Sequence, residues 1–409
     1  MITNDAVIFG ILMTILGFVF YTSSIKSNFW KNFYTLFPVL LLCYFLPSLF
    51  KTLGIINSDN SNLYFVASRY LLPCSLVLLT LSVDLREILK LGPKAIIMFL
   101  TGTLGILIGG PVSILFVKYV SPDLVDINIL DLANGMTTIA GSWIGGGANQ
   151  AAMMEVFNVD SNIFSKMVAV DIICANVWLA ILLIGVNKNK FLDRNILKAN
   201  SSSIEDIKKR IENYNLSISK IPELKDLILI LSVGFAVTGI SHFFGEVISE
   251  YIKINFSYLE KFSLTSNFFW LIIFSTSLGV FLSFTKLRKL EGAGSSKVGS
   301  VFIYILVATI GLKMDLLSIF QNPGLFLIGF IWIGIHIILL IVVAKIIRAP
   351  FFFVAVGSQA NIGGAASAPV VASAFHPSLA AVGVLLAVLG YAVGTYAAYI
   401  CGIIMQYLV

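Results

Sequence analysis

Charged side chains are scarce in this 409-residue sequence: Asp, Glu, Lys and Arg make up 12%, about half the share in a soluble globular domain. With 58% apolar residues and a mean hydropathy of +0.95, too little polar surface remains to solvate a water-soluble fold. Histidine is nearly absent, at positions 242, 336 and 376 only. There is no His-Glu-x-x-His pair and no convergent His/Asp/Glu set, which argues against an enzyme in the membrane. The four cysteines, Cys43, Cys74, Cys174 and Cys401, fall in apolar runs without disulfide or metal-ligand spacing and read as small packed thiols. No Gly-x-x-x-x-Gly-Lys-Ser/Thr loop is present, so an ion gradient, not nucleotide hydrolysis, is the expected driving force, with no cofactor. The rings of charge that line many channels are missing too. The first residues lack a basic n-region and include Asp5, so 6–22 is expected to remain as a span. The net charge of +6 carries no nucleic-acid reading, because the Lys and Arg residues sit in short loops between apolar runs.

What the sequence does have is length in those runs. Ten are near the 20 residues needed to cross about 30 Å of hydrocarbon: 6–22, 36–55, 63–83, 95–119, 161–186, 226–246, 266–285, 297–317, 324–346 and 379–408. Two more apolar stretches, 133–157 and 350–375, are interrupted at their centres by glycine and polar residues. A charged, Ser/Asn-rich segment, 187–225, divides the chain and is expected to be a solvated loop.

The halves on either side resemble each other. "LSVDLREI" (81–88) pairs with "LKMDLLSI" (312–319), and "IGGGANQAAMMEVF" (144–157) with "IGGAASAPVVASAF" (362–375), in the same order. If the interrupted stretches simply crossed, the basic loop 187–225 would lie opposite the basic loop 23–35, against the positive-inside tendency. If each dips in and returns, the loops 23–35, 84–94, 187–225, 286–297 and 345–349 share the cytoplasm and the acidic loop 119–132 lies outside. A helix broken at mid-membrane plus a missed span gives the same inversion. The expected fold is therefore an all-α integral membrane protein. It has about ten transmembrane helices in two inverted five-helix repeats, 1–186 and 226–409, each with a glycine-broken or re-entrant helix at mid-membrane. The expected place is a bacterial cytoplasmic membrane, with the N-terminus outside.

Arms of about 12 residues on either side of each glycine cluster rise roughly 18 Å, to the bilayer midplane. Non-helical backbone at that depth is tolerated where it is buried or lines a cavity. Small residues for tight helix packing are the competing reading. It accounts for Gly105, Gly109 and Gly110 better than for clusters flanked by polar side chains. The candidate solute-binding residues are Ser142, Gly145, Gly146, Gly147, Asn149 and Gln150 in the first stretch, and Ser358, Gln359, Asn361, Gly363, Gly364 and Ser367 in the second. The second arm of each would aim its positive N-terminus at the midplane, suiting an anion. The first arm would offer carbonyls to a cation such as Na⁺. A small, carboxylate-bearing solute moved with Na⁺ or H⁺ is the expectation. Asp171, about ten residues inside its span, is the candidate coupling-ion site or else a structural partner of Asn176. A sodium/proton antiporter working through Asp171 is the alternative. Arg69 could neutralise a substrate carboxylate, or else snorkel or form an ion pair; Glu155 is a minor candidate near the surface. Asp84, Lys313 and Asp315 read as span ends, His336 as packing, and His376–Pro377 as a turn.

The motifs "LLPCSLVLLTLSVDLREI", "IGGGAN" and "SQANIGGAASAP" resemble the YjcL-like family of uncharacterised bacterial membrane proteins, domain-of-unknown-function family 819. The paired Gly-Gly vertices also look like those of the sodium–citrate and sodium–glutamate symporters. Those belong to the broad group that includes sodium/proton antiporters and bile-acid symporters. The resemblance implies an elevator-type carrier whose hairpins slide against a scaffold made of the first two spans of each half, often dimeric. The vertices here read "GGGA" and "GGAA" where those symporters carry Gly-Gly-x-Gly, so their substrates do not carry over.

Overall fold

The computed structural model describes residues 1–37, 39–58, 60–199, 221–262, 264–313, 322–376 and 379–409. Each expected apolar run is a helix: α1 (Asp5–Ser24), α3 (Val39–Thr52) after a short α2 (Asn28–Leu36), α4 (Leu63–Leu81), α5 (Pro93–Tyr119), α7 (Ser161–Asn187), α8 (Leu224–Asn255), α9 (Asn267–Ser283), α10 (Ser295–Gly311), α11 (Gly324–Ile346) and α14 (Ala380–Leu408). Between α5 and α7 lies the broken α6 (Ile129–Val156), and between α11 and α14 lie α12 (Phe351–Ile362) and α13 (Gly364–Phe375). Among the described residues, seven helices are long and apolar enough to cross a membrane, or nine if each of two sharply bent pairs is one span. The chain is an all-α membrane protein. The expected span 297–317 is shorter than anticipated, ending at Gly311. Asp315, Pro377 and the centre of the polar segment, 200–220, lie outside the described residues.

Local signals set the helix ends. The Asn4 side chain accepts the N–H groups of Ala6 and Val7 to cap α1, Asn128 caps α6 through Leu130, and Asp160 caps α7 through Asn162. Each satisfies donors that a helix start leaves open. At α12 the cap comes from a distance. Pro350 offers no side-chain bond, and Asp193, beyond the end of α7, accepts the Phe351 N–H at 2.6 Å. Burial raises the Asp193 carboxyl above the usual carboxylate range, while the Phe351 bond pulls the other way. The folded state thus favours the protonated acid. Its contribution is present at low pH and is lost as pH rises through the folded-state value. Asp193→Ala is expected to cost about 0.5–2 kcal/mol. Asp193→Asn keeps an acceptor without the charge, and should match wild type at low pH while escaping the loss of stability that wild type shows as pH rises, as read by thermal unfolding at several pH values.

The helices pack as two bodies. One holds α5–α7 and α11–α14; the other holds α1, α3, α4 and α8–α10. Three helices from each half, rather than the two expected, make the second body. The reason is α4, against which glycines of its three neighbours close up. A Cβ on Gly234 would stand 2.5 Å from Cys74 Sγ, one on Gly279 2.9 Å from the Val77 carbonyl, and one on Gly299 3.2 Å from the Ser75 carbonyl.

Both interrupted stretches turn back on themselves. Gly146 adopts φ 72°, ψ −174°, a region essentially closed to residues with a Cβ, and Gly364 has φ 53°. Across the first turn, Gly141 lies against the Asn149 backbone, and Thr137 and Phe157 both meet Gly402. Across the second, the Phe352 and Phe375 rings are 5.2 Å apart. Continuous helix would separate these pairs by far more. We refer to α6 as hairpin 1 and to α12–α13 as hairpin 2.

Candidate functional site

The vertices of both hairpins line one cavity of about 250 Å³ on the seam between the bodies. Gly146, Gly147 and Ala148 come from hairpin 1, residues 363–366 from hairpin 2, and Tyr391 from α14; Leu40, Leu79, Ser300, Ile303 and Tyr304 face them from the second body. Among the described residues, no Lys, Arg, His, Asp or Glu is in the lining. The second arm of each hairpin starts at this cavity, and the Ala365 N–H meets the Tyr391 hydroxyl. Behind the vertices, α14 runs between the two first arms. A Cβ on Gly390 would stand 2.7 Å from the Ile144 carbonyl oxygen and 3.3 Å from that of Ala360. One on Gly394 would stand 2.5 Å from Gly145 Cα. Only glycine at 390 and 394 lets the carbonyl ends of both first arms converge on one helix.

The polar side chains flanking the vertices are engaged with protein. Asn149 and Asn361 use the same pattern on opposite arms. Asn149 donates to the Gly145 carbonyl four residues back and to the Tyr391 carbonyl, and accepts from Thr395. Asn361 donates to the Gly357 carbonyl four residues back and to the Phe99 carbonyl, and accepts from Thr103. In each case carbonyl and threonine lie four apart on a neighbouring long helix, so each asparagine latches a vertex to α14 or to α5. Ser358 accepts from Trp178 Nε1 at 2.7 Å and pairs with His336 Nε2 at 2.8 Å. His336 Nδ1 donates to the Gly102 carbonyl, which leaves Nε2 as the acceptor. Ser367 donates to Gln359 Oε1 at 2.7 Å. Gln359 Nε2 is buried beside the hairpin 2 vertex with no partner among the described residues.

Asp171 is buried in α7 and receives three neutral donors. Trp143 Nε1 reaches Oδ1 at 2.6 Å, and Ser142 Oγ and Gln150 Nε2 reach Oδ2 at 2.6 and 3.0 Å. These come from both arms of hairpin 1, so one carboxylate staples the hairpin shut. Asn176 is not a partner; it donates to the Ile172 carbonyl of its own helix. Because α7 also supplies Trp178 to Ser358, it braces both hairpins. Neither Asp171 nor Asn176 lines the vertex cavity.

The sequence of the family described as "Protein of unknown function (DUF819)" matches residues 10–408. The chain belongs to that family. It is 26% identical over 360 residues to the uncharacterized membrane protein YjcL of Bacillus subtilis (strain 168), across 85% of this chain and 84% of that protein.

In this DUF819 chain, Tyr304, Tyr391, Thr103, Thr395, Gly390 and Gly394 complete the vertex region, and none stood out in the sequence. Gly390 and Gly394 carry a small-xxx-small signature that could have flagged α14 as the close neighbour. The tyrosines lie in apolar runs and carry no local signal.

Proposed function

We propose that the protein is an ion-coupled secondary carrier of a small anionic solute, and not an enzyme. The supporting observation is that two hairpin vertices from different halves line one cavity on the seam between two bodies. Each second arm brings a helix start of about +0.5 charge. Two of them, with no charged side chain in the lining, suit a single negative charge such as one carboxylate. The hydroxyls of Tyr304 and Tyr391 provide neutral donors around it. The carbonyls of Ile144 and Ala360, converging at Gly390, offer negative ends to Na⁺; H⁺ is the other candidate coupling ion.

On this reading the two hairpins are re-entrant at mid-membrane and the halves 1–186 and 226–409 are inverted repeats about the polar loop 187–225. The hairpin body slides against the other in alternating access, as in the Gly-Gly symporters that the sequence resembles. A cytoplasmic-membrane location with the N-terminus outside follows from the basic loops, and the exposed second body could pair as a homodimer. Exchange of Na⁺ for H⁺ through Asp171 has less support, since three protein donors hold that carboxylate away from the cavity.

Thermal unfolding of the detergent-solubilised protein against small monocarboxylates, with and without Na⁺, tests this. Stabilisation follows RT ln(1 + [L]/Kd), about 2.7 kcal/mol at a ligand concentration 100-fold above Kd. A Na⁺-dependent shift in wild type that vanishes in Ala365→Trp, which fills the cavity, is the expected outcome. A shift that Ala365→Trp leaves intact overturns the site.

A further inference from the structure

A second cavity of about 250 Å³ lies away from the vertices, lined by Arg69, His242, Ser266, Asn267, Phe268 and Leu271. The Arg69 guanidinium rests over the Phe268 ring, 4.3 Å from its centroid, which fixes it at the cavity wall. His242 Nε2 donates to the Arg69 carbonyl at 2.8 Å, tying α8 to α4 there. Helix α9 begins at Asn267, and its cap, Ser266, takes the Phe269 N–H, leaving the N–H groups of Asn267 and Phe268 at the helix start. The wall thus collects a guanidinium, an amide, a hydroxyl and an imidazole, without a carboxylate among the described residues.

Arg69 also has a partner outside the lining. Its Nη1 pairs with Glu155 at the end of hairpin 1, 2.8 Å away, and donates to Ser68 Oγ. The Tyr64 hydroxyl bonds the same carboxylate, and Lys313 Nζ sits 3.6 Å over the Tyr64 ring. The ion pair and the Ser68 bond both run through Nη1, which leaves other guanidinium N–H groups for a ligand. Phe65, Tyr70, Phe243 and Phe244, neighbours of Arg69 and His242 in sequence, are all exposed. Of these, Tyr70 is of the amphipathic kind that gathers at the level of lipid headgroups.

We propose that this cavity is a second anion site that takes a phosphate group, from an anionic lipid headgroup or from free phosphate, and that Glu155 competes with it for Arg69. The site does not depend on the vertex cavity. The test uses the full chain in detergent with two probes: radiolabelled inorganic phosphate by equilibrium dialysis, and phosphatidylglycerol retained in native mass spectrometry. Arg69→Gln should weaken binding about 10-fold or more, the effect of losing a charged hydrogen-bond partner. Glu155→Gln should tighten it severalfold, a gain that a merely structural ion pair would not produce and that still decides the matter if Arg69→Gln misfolds. Ala365→Trp should leave binding unchanged. Retention of the lipid alone identifies a headgroup site; binding of both probes identifies one open to free phosphate. Binding unaltered by both Arg69→Gln and Glu155→Gln, binding lost only in Ala365→Trp, or no binding of either probe to wild type overturns the proposal.

Discussion

Gly146→Ala is expected to abolish solute-dependent stabilisation and transport while lowering stability by about 1–3 kcal/mol, the usual cost of holding a side chain in a region reserved for glycine. At φ 72° and ψ −174° an alanine must either bear that strain or move the vertex. Space is not the obstacle: a Cβ there meets only Tyr391 Cε1, at 3.4 Å. The loss would therefore report backbone geometry. If the vertex relaxes, Gly147 and Ala148 shift at the cavity wall they line, and positioning errors of about 1 Å cost on the order of 100-fold in function. Gly394→Ala offers a contrast, since its backbone is ordinary helix and its cost is steric, against Gly145 Cα. Uptake into liposomes, set against unfolding temperature, separates the two. Gly146→Ala with normal uptake would remove the vertex from the mechanism.

Removing the Asp171 carboxylate should produce the largest loss of stability. Asp171→Leu leaves Ser142, Trp143 and Gln150 without their acceptor in the interior, and each orphaned donor costs about 1–3 kcal/mol. A total above about 3 kcal/mol is expected, enough to cripple a protein of ordinary marginal stability. Asp171→Asn retains one acceptor oxygen and should fall between, because its amide N–H faces donors. Fluorescence-detected size exclusion after heating reads the order: wild type, then Asp171→Asn, then Asp171→Leu. The antiporter alternative expects another pattern. There, Asp171→Asn would in addition abolish Na⁺/H⁺ exchange in liposomes with no solute present.

Much of the fold was legible because it rests on local chemistry. A run of about twenty apolar residues favours a membrane-crossing helix, and each of the ten runs holds a helix among the described residues, seven to nine of them long and apolar enough to cross. The turns at Gly146 and Gly363–Gly364 were legible for the same reason, since a glycine cluster permits the positive φ that a reversal needs. Partners were not legible. Asn176 looked like the companion of Asp171 because it is close in sequence, yet the true donors are 29, 28 and 21 residues away. Thr103 and Thr395 are 258 and 246 residues from the asparagines they hold, and a threonine in an apolar run looks the same whether it latches a vertex or faces lipid.

By itself, then, the sequence determined that the chain lives in a membrane, where its helices run and where two of its segments must break. Only the tertiary structure decided that the two breaks open into one cavity, that α14 passes behind both, and that Asp171 closes a hairpin. Burial in lipid and backbone freedom are properties of a few adjacent residues. A cavity is a property of surfaces brought together, and here packing between distant helices assembles them.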